Sequence, residues 1–579
     1  MRPVTPFKAH STETLKVSGR RILGWPTLLW TALAALVLFG LGLGNHELWD
    51  YHEPYVAGIV RSMARTGDWI VPALNGHPYL EKPPLFYAFS ALVCRAAGSF
   101  EPWALRLPSA LLALATVVWT SFLGWRLSSA RAGGWAGFMV GTSVLFFQVG
   151  HMAVVDMTLT ATVSFSLGLA FLALVEPSYR HRWVPWFWAS LGLAFLAKGL
   201  VGPVLVLLPL GITLLIQQDR ALLRAFLRPN WGMGGAILLA LGWVVPLALR
   251  GGQEFLVEVF LRNTLGRFLA DPALVPRTGR LGEHVEPLTF YLQRSPGNLL
   301  PWLAIWAAAM ASALPRRRRH HLSPRSYFLP LAFGLNLLLL SLSAEKRMEY
   351  LLPVFPVSFL HASLWLDTRV PRARRRIDRT LMTVLGLTFT FVGLLGAGFP
   401  WVVMTRAQLH WALALGLSLG SLLLSAVSLR RLWARDFPGA LDLGMTQWAV
   451  FLALFLMLGV PQWDRELWRP LADPYAVASR LEQRGARVVV GQLSETQLGF
   501  ATLRLGHDLP ALDEAVALQA ALAGPTPVVA LVEPSWWEAL AGTIPAVPVA
   551  TAASRLKPSL RSRAPVVAVN PAASRLGGA

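Results

Sequence analysis

The feature that most limits this chain is the recurrence of apolar runs long enough to cross a bilayer. A hydrocarbon core about 30 Å thick needs about 20 apolar residues per helix, and the run Ile22–Gly44 already meets that length. Similar runs follow near 103–125, 132–150, 155–175, 184–197, 199–216, 232–249, 299–314, 327–343, 349–366, 380–404, 409–429 and 446–460. A segment in lipid must satisfy its own backbone polar groups, so runs of this kind are helices. The chain therefore reads as an all-α multi-pass membrane protein of about 13 transmembrane helices. Composition agrees, with 54% apolar residues, 14% charged and a mean hydropathy of +0.50. A soluble chain carries about a quarter charged residues.

The first run follows Arg20 and Arg21. It is too long for the h-region of a signal peptide and has no small-x-small cleavage site, so it reads as a retained anchor. Leu85–Gly98 is apolar but short, which favours an interfacial or re-entrant helix over a span.

Charge gives an independent test through the positive-inside rule. With the N-terminus (1–21) in the cytoplasm, the inside connections are 126–131, 176–182, 217–230, 316–325, 367–379 and 430–436. Together with the N-terminus they hold 26 Lys and Arg against six acids, which accounts for nearly all of the net charge of +21. Counting Leu85–Gly98 as a span would force Arg316–Arg319 and the cluster Arg372–Arg376 across the membrane. A charge this basic can also mean nucleic-acid binding. Here it is divided among short loops, and topology explains it without nucleic acid.

Residues 22–460 then form the transmembrane domain, with outer loops at 45–102 and 251–298. From about Pro461 to 579 the pattern changes. Helix-like stretches (475–484, 512–523, 534–541) alternate with β-rich runs (486–490, 528–532, 566–569), which suggests a small α/β domain on the non-cytoplasmic, periplasmic side. It has no glycine-rich phosphate loop. The lone cysteine, Cys94, excludes an intramolecular disulfide and a Cys-based metal site, and reads as a small buried hydrophobe.

The chemistry-bearing residues gather on the outer side. Where the first span emerges, the sequence reads Glu47-Leu48-Trp49-Asp50-Tyr51-His52-Glu53-Pro54. Two carboxylates and an imidazole within four residues suit an acid/base or metal site, while Trp49 and Tyr51 equally suit an interfacial aromatic belt. Glu81, Lys82, Asp156, Lys198, Arg262, Arg267, His284, Lys346 and Arg347 also fall at outer helix ends or in outer loops. Each alone could be a snorkelling terminus, Arg262 and Arg347 above all. Such groups are costly near a membrane, and so many on one side point to a shared cavity.

The motifs also carry a resemblance. Gly67-Asp68-Trp69-Ile70-Val71-Pro72 and Glu81-Lys82-Pro83-Pro84 follow the acidic segment. In order come Val155-Asp156-Met157-Thr158-Leu159, Ala197-Lys198-Gly199, Arg267-Phe268, His284 with Pro287 and Tyr291, and Lys346 with Tyr350. This ordered set resembles the GT-C membrane glycosyltransferases, closest to the lipid A aminoarabinose transferase and protein O-mannosyltransferase-like group (glycosyltransferase family 39-like). It covers about residues 20–360.

The resemblance implies an inner-membrane enzyme that moves a sugar from a polyprenyl-phosphate carrier to a glycolipid or protein acceptor on the periplasmic face, with inversion. It implies Asp50, Glu53 or His52 as base or acceptor-orienting group and Asp156 as a second carboxylate. Lys82, Arg267, Lys346, Tyr350 and Lys198 would hold the donor phosphate. A divalent metal (Zn, or Mg/Mn) would involve Glu81 and His284. Two departures stand out: His52 occupies a position where the pattern has Asp, and Thr264 stands where a metal-associated His is expected. The competing class is a transporter or flippase for a lipid-linked saccharide, its charges lining a conduction path. A non-enzymatic scaffold would leave the first-loop carboxylates unexplained.

Overall fold

The computed structural model describes residues 24–48, 52–274, 285–313, 323–375, 378–404, 410–540, 542–544, 546–551 and 563–577. A helix, or a helix pair, lies on each of the thirteen apolar segments. Among the described residues, eight are long and apolar enough to span, and nine if one bent pair is counted as a single span. The short segment forms the helix Leu85–Ala97, ended by Gly98 at φ 63°.

Three boundaries differ from the sequence reading. The segment 132–150 is two helices, Ala130–Thr142 and Val144–Gly150, bent by 69° about an extended Ser143. The helix beginning at Trp231 runs well past 249 through a break at Gly252 (φ 61°), and a π-helical stretch, Val257–Gly266, leads straight into Arg267. Residues 251–269 of the second outer loop are therefore helical. Near the C-terminus, helical structure is continuous from Phe437 to Gln483, so the boundary at 461 falls within a helix, not at a linker.

The C-terminal region is an α/β unit. Its strands β3 (Arg487–Gly491), β4 (Val528–Val532), β5 (Val547–Ala550) and β6 (Val566–Val569) form one sheet in the order β3-β4-β6-β5. β3 and β4 are parallel, and the other two pairs are antiparallel. The parallel pair needs a crossover, supplied by the helices Glu495–Leu505 and Ala515–Ala523. The sequence reading missed β5 and the Glu495–Leu505 helix.

That helix fixes the unit to the first loop. It packs on the helix His52–Thr66 so closely that a Cβ on Gly499 would lie 2.3 Å from the Tyr55 backbone. A reciprocal pair of bonds joins Asn75 to Leu509, at 2.9 and 2.6 Å. Arg504 pairs with Glu47, and Arg65 with Asp508. The C-terminal unit therefore sits at the same end of the bundle as residues 45–102.

Candidate active site

The first loop is folded by local rules that bring its charges to one point. Asp68 accepts from the amides of Ile70 (3.0 Å) and Val71 (3.1 Å) and pairs with Arg250, while the Trp243 indole donates to Ile70 O at 3.2 Å. The Gly-Asp-Trp motif thus ties the loop to the Trp231–Leu256 helix. A hairpin follows, of β1 (Ala73–Leu74) and β2 (His77–Pro78). Asn75 (φ 50°) and Gly76 (φ 79°) form its turn, the positive-φ pair that two-residue hairpins need. Tyr79, Glu81 and Lys82 emerge directly from it.

Glu81 is a junction. Lys82 Nζ lies 2.5 Å and an Arg267 guanidinium nitrogen 2.7 Å from its Oε1, and the Tyr79 hydroxyl donates to Oε2. Tyr79 also reaches Glu495 Oε2, at 3.3 Å, on the C-terminal unit. Burial alone would raise the Glu81 carboxyl, but the Lys82 and Arg267 charges outweigh it and hold it well below the usual range. Burial lowers Lys82 to about 8; Glu81 opposes that shift, and Arg267 and Lys198 add to it.

A second pair completes the cluster. Asp156 opens the helix Asp156–Val175 and Lys198 closes Arg180–Lys198. A carboxylate at a helix start and a cation at a helix end each complement the backbone dipole. Because the helices run antiparallel, both ends emerge together, and Lys198 Nζ lies 2.6 Å from Asp156 Oδ1. The same ammonium sits 4.1 Å from the centroid of Tyr350, on the turn Met348–Val354. Between the two pairs lies a small, partly enclosed cavity whose wall includes His52, Tyr55, Glu81, Lys82, Asp156, Lys198, Arg347 and Tyr350. Arg267 stands behind Glu81. Of the outer charges expected to share a cavity, Glu81, Lys82, Asp156, Lys198 and Arg347 line this one.

Not every expected residue joins it. Glu53 is turned away and fully buried against Arg106, both side chains 0% exposed. Arg106 donates to Oε1 and Oε2, each at 2.8 Å. Its remaining N–H groups go to the carbonyls of Leu43 (2.9 Å), His46 (3.0 Å) and Glu47 (2.8 Å), so all five donors are used. Glu53 Oε1 also accepts from Ala153 N at 2.8 Å. The base expected at Glu53 is thus committed to a structural clamp, which holds the 43–48 loop, the start of the His52 helix and the turn before Asp156 together.

Lys346 is also displaced. It is buried and donates to Glu286 O at 2.6 Å, off the cavity wall. Asp50 and His284 lie outside the described residues. Arg347, which the sequence left open between a snorkelling terminus and a member of the shared cavity, lines that cavity; Tyr55, Tyr79 and Glu495 were missed. A Tyr in an amphipathic helix looks like an interfacial anchor, and Glu495 is hundreds of residues distant, so neither carried a signal.

The donor set does not favour the implied metal. Glu81 already meets two cations and a hydroxyl, and Thr264 bonds the carbonyl of Val259 at 3.1 Å. Among the described residues no three His, Cys, Asp or Glu are grouped to hold an ion.

The chain thus combines a long apolar bundle, an α/β unit docked on the first outer loop and a cation-rich pocket beside that loop. A family model described as dolichyl-phosphate-mannose-protein mannosyltransferase matches residues 81–249. The chain is 28% identical to an undecaprenyl phosphate-alpha-4-amino-4-deoxy-L-arabinose arabinosyl transferase of Aeromonas salmonicida, over 72% of this chain and 75% of the relative. It is 24% identical to the protein of that name in Serratia proteamaculans, over 85% and 83%. In fold it is similar to ArnT from Cupriavidus metallidurans bound to undecaprenyl phosphate, with a TM-score of 0.73, 22% identity, and 96% and 99% of the two chains covered. The resemblance read from the motifs is therefore borne out: the chain is similar in sequence to the aminoarabinose transferases and, over residues 81–249, to the protein mannosyltransferase family model. The fold likeness extends well beyond residue 360, where the motifs end.

Proposed function

We propose that the chain transfers a glycosyl group from a polyprenyl-phosphate donor to an acceptor oxygen at the outer face of the inner membrane. The observation that carries this is the cavity itself: Lys82, Lys198, Arg267 and Arg347 converge from four separate segments beside two described wall carboxylates, Glu81 and Asp156. Cations gathered at a membrane end suit a lipid phosphate, with Arg binding as a fork and Lys as a point charge. As the C1–O bond to the phosphate breaks, negative charge grows on the departing polyprenyl phosphate. Cations already in place stabilise that charge without reorganising.

The acceptor oxygen attacks C1 from the opposite face, so the anomeric configuration inverts. A hydroxyl acceptor must give up a proton, and His52 on the wall is the described group suited to take it. Asp50, two residues earlier, is the alternative base. Asp156, held by Lys198, orients the acceptor. A lipid A-like glycolipid is the acceptor that the motif resemblance implies.

The orientation belongs to the same proposal: thirteen spans, 1–21 in the cytoplasm, 22–460 as the transmembrane domain and 461–579 as the periplasmic unit. The distribution of Lys and Arg supports it. So does the clustering of the expected inside loops, where Arg126 pairs with Glu176 (3.0 Å), Ser129 with Asp367 (3.0 Å) and Arg369 with Asp378 (2.8 Å).

The test is incubation of the purified protein with a labelled undecaprenyl-phosphate sugar and lipid A. Release of undecaprenyl phosphate and labelled lipid A is expected. Label moved across a vesicle with its phosphate–sugar bond intact would make it a flippase. His52→Ala and Asp50→Asn variants then identify the base: the one whose loss removes turnover while donor binding persists.

A further inference from the structure

The short helix Arg220–Leu227 joins two apolar segments and is firmly held. Asp219 caps it, accepting from the amides of Ala221 (2.8 Å) and Leu222 (3.1 Å). Leu222 and Phe226 are buried, with Phe226 edge-on to Phe187 at 5.4 Å between ring centroids. The Trp188 indole donates to Phe226 O at 2.9 Å. The outward sides of the helix carry two different stripes, because residues four apart share a helix side. Arg220, Arg224 and, at the cap, Arg228 form one, all exposed. Leu223 and Leu227 form the other beside it, also exposed. Among the described residues none of these three guanidinium groups has a carboxylate or carbonyl partner. Arg126 and Arg369, in other loops, are paired with Glu176 and Asp378.

The depth of this helix follows from the next one. Arg250 pairs with Asp68 in the first outer loop. From Trp231 to Arg250 the helix rises about 28 Å at 1.5 Å per residue, close to the roughly 30 Å of a hydrocarbon core. Trp231 therefore stands at the opposite headgroup level. Its exposed ring meets exposed Trp186 there, with centroids 4.8 Å apart and planes at 84°. Indoles mark that level of a bilayer, and a helix with an apolar stripe beside a row of Arg is the form that lies in it.

We propose that Arg220, Arg224 and Arg228 bind the headgroups of anionic phospholipids at the membrane surface opposite the cavity, with Leu223 and Leu227 in the acyl region beside them. A guanidinium takes a phosphate as a fork. Each Arg near an anionic surface strengthens binding about fivefold, so three give on the order of a hundredfold. A zwitterionic lipid offers the same phosphate, but its own ammonium opposes the Arg row. A soluble acidic partner would match the Arg row and leave the leucine stripe without an apolar cover. The site is separate from that of the donor, so it stands whether or not the transferase reading does.

The experiment places the purified full chain in phosphatidylcholine vesicles with a trace of a photoreactive lipid. The probe is phosphatidylglycerol, or phosphatidylcholine, carrying a diazirine high on one acyl chain. Cross-links to residues 217–231 are mapped and counted by mass spectrometry. Phosphatidylglycerol is expected to label this segment at least about tenfold more than phosphatidylcholine. The triple variant Arg220→Gln, Arg224→Gln, Arg228→Gln is expected to bring that ratio near one. All three side chains are exposed, so the fold should survive, and a ratio is insensitive to partial loss of protein. Arg430→Gln with Arg431→Gln, in another basic loop, should leave the ratio at this segment unchanged. Equal labelling by the two lipids, no labelling of the segment, or a preference that survives the triple substitution would each overturn the proposal. So would a preference abolished by inorganic phosphate but not by chloride at the same ionic strength, which would make this a site for free phosphate.

Discussion

Glu53 with Arg106, and Glu81 with Lys82 and Arg267, are built from the same residue types at the same end of the bundle, yet they differ in what surrounds them. The first pair is closed: neither side chain is exposed, and every guanidinium donor has a protein acceptor. The second is open, with exposures of 10–15% and a cavity in front of it. A closed ion pair can only hold structure together, since admitting a ligand would strip it of partners. An open one can exchange a carboxylate for a phosphate. Residue type alone therefore does not separate scaffold from site; the count of satisfied donors does.

The largest expected effect breaks the closed pair. Arg106→Ala strands a buried carboxylate, at a cost of about 3–5 kcal/mol, so little folded protein should survive extraction, seen by size exclusion and thermal melting in detergent. If Glu53→Gln instead melted like the parent while turnover vanished, Glu53 would be the base and the comparison would fail.

Lys82→Ala should leave the melting temperature nearly unchanged and lower kcat/KM for the donor by about 10²–10³, the scale of one lost charge-stabilising contact. A destabilised variant with normal donor kinetics would place Lys82 with the closed pair.

A smaller effect is the pH response of the same residue. Burial lowers Lys82 to about 8, so it is charged below that pH and neutral above it. Donor KM should therefore rise as pH increases through about 8, and the bound phosphate should shift the midpoint upward. Lys82→Arg, which stays charged, should flatten that rise. A parent profile with no change between pH 7 and 9 would remove Lys82 from the phosphate site.

The smallest effect is expected at Lys346. Its ammonium bonds a backbone carbonyl away from the cavity, so Lys346→Ala should change donor KM by less than about threefold. A loss as large as that of Lys82→Ala would restore the role the motif gave it.

Sequence by itself determined the membrane class, the helical segments and the end of the bundle that carries the chemistry. Apolar run length and the bias of Lys and Arg are properties of the chain that a bilayer reads locally, one segment at a time. It also singled out Glu81, Lys82, Asp156, Lys198 and Arg267, because so many charges at helix ends on one side are costly unless they share a polar cavity. Only the tertiary structure decided which charges face each other. Glu53 was taken by Arg106 from the span that follows, Lys346 by the carbonyl of Glu286, and Arg347 and Tyr55 were brought to the wall by packing between distant segments. The docking of Glu495 beside Tyr79 depends on a close approach at Gly499 more than 400 positions away in sequence. Whether a charge is spent on the fold or left for a ligand depends on its neighbours in space, and local pattern does not encode them.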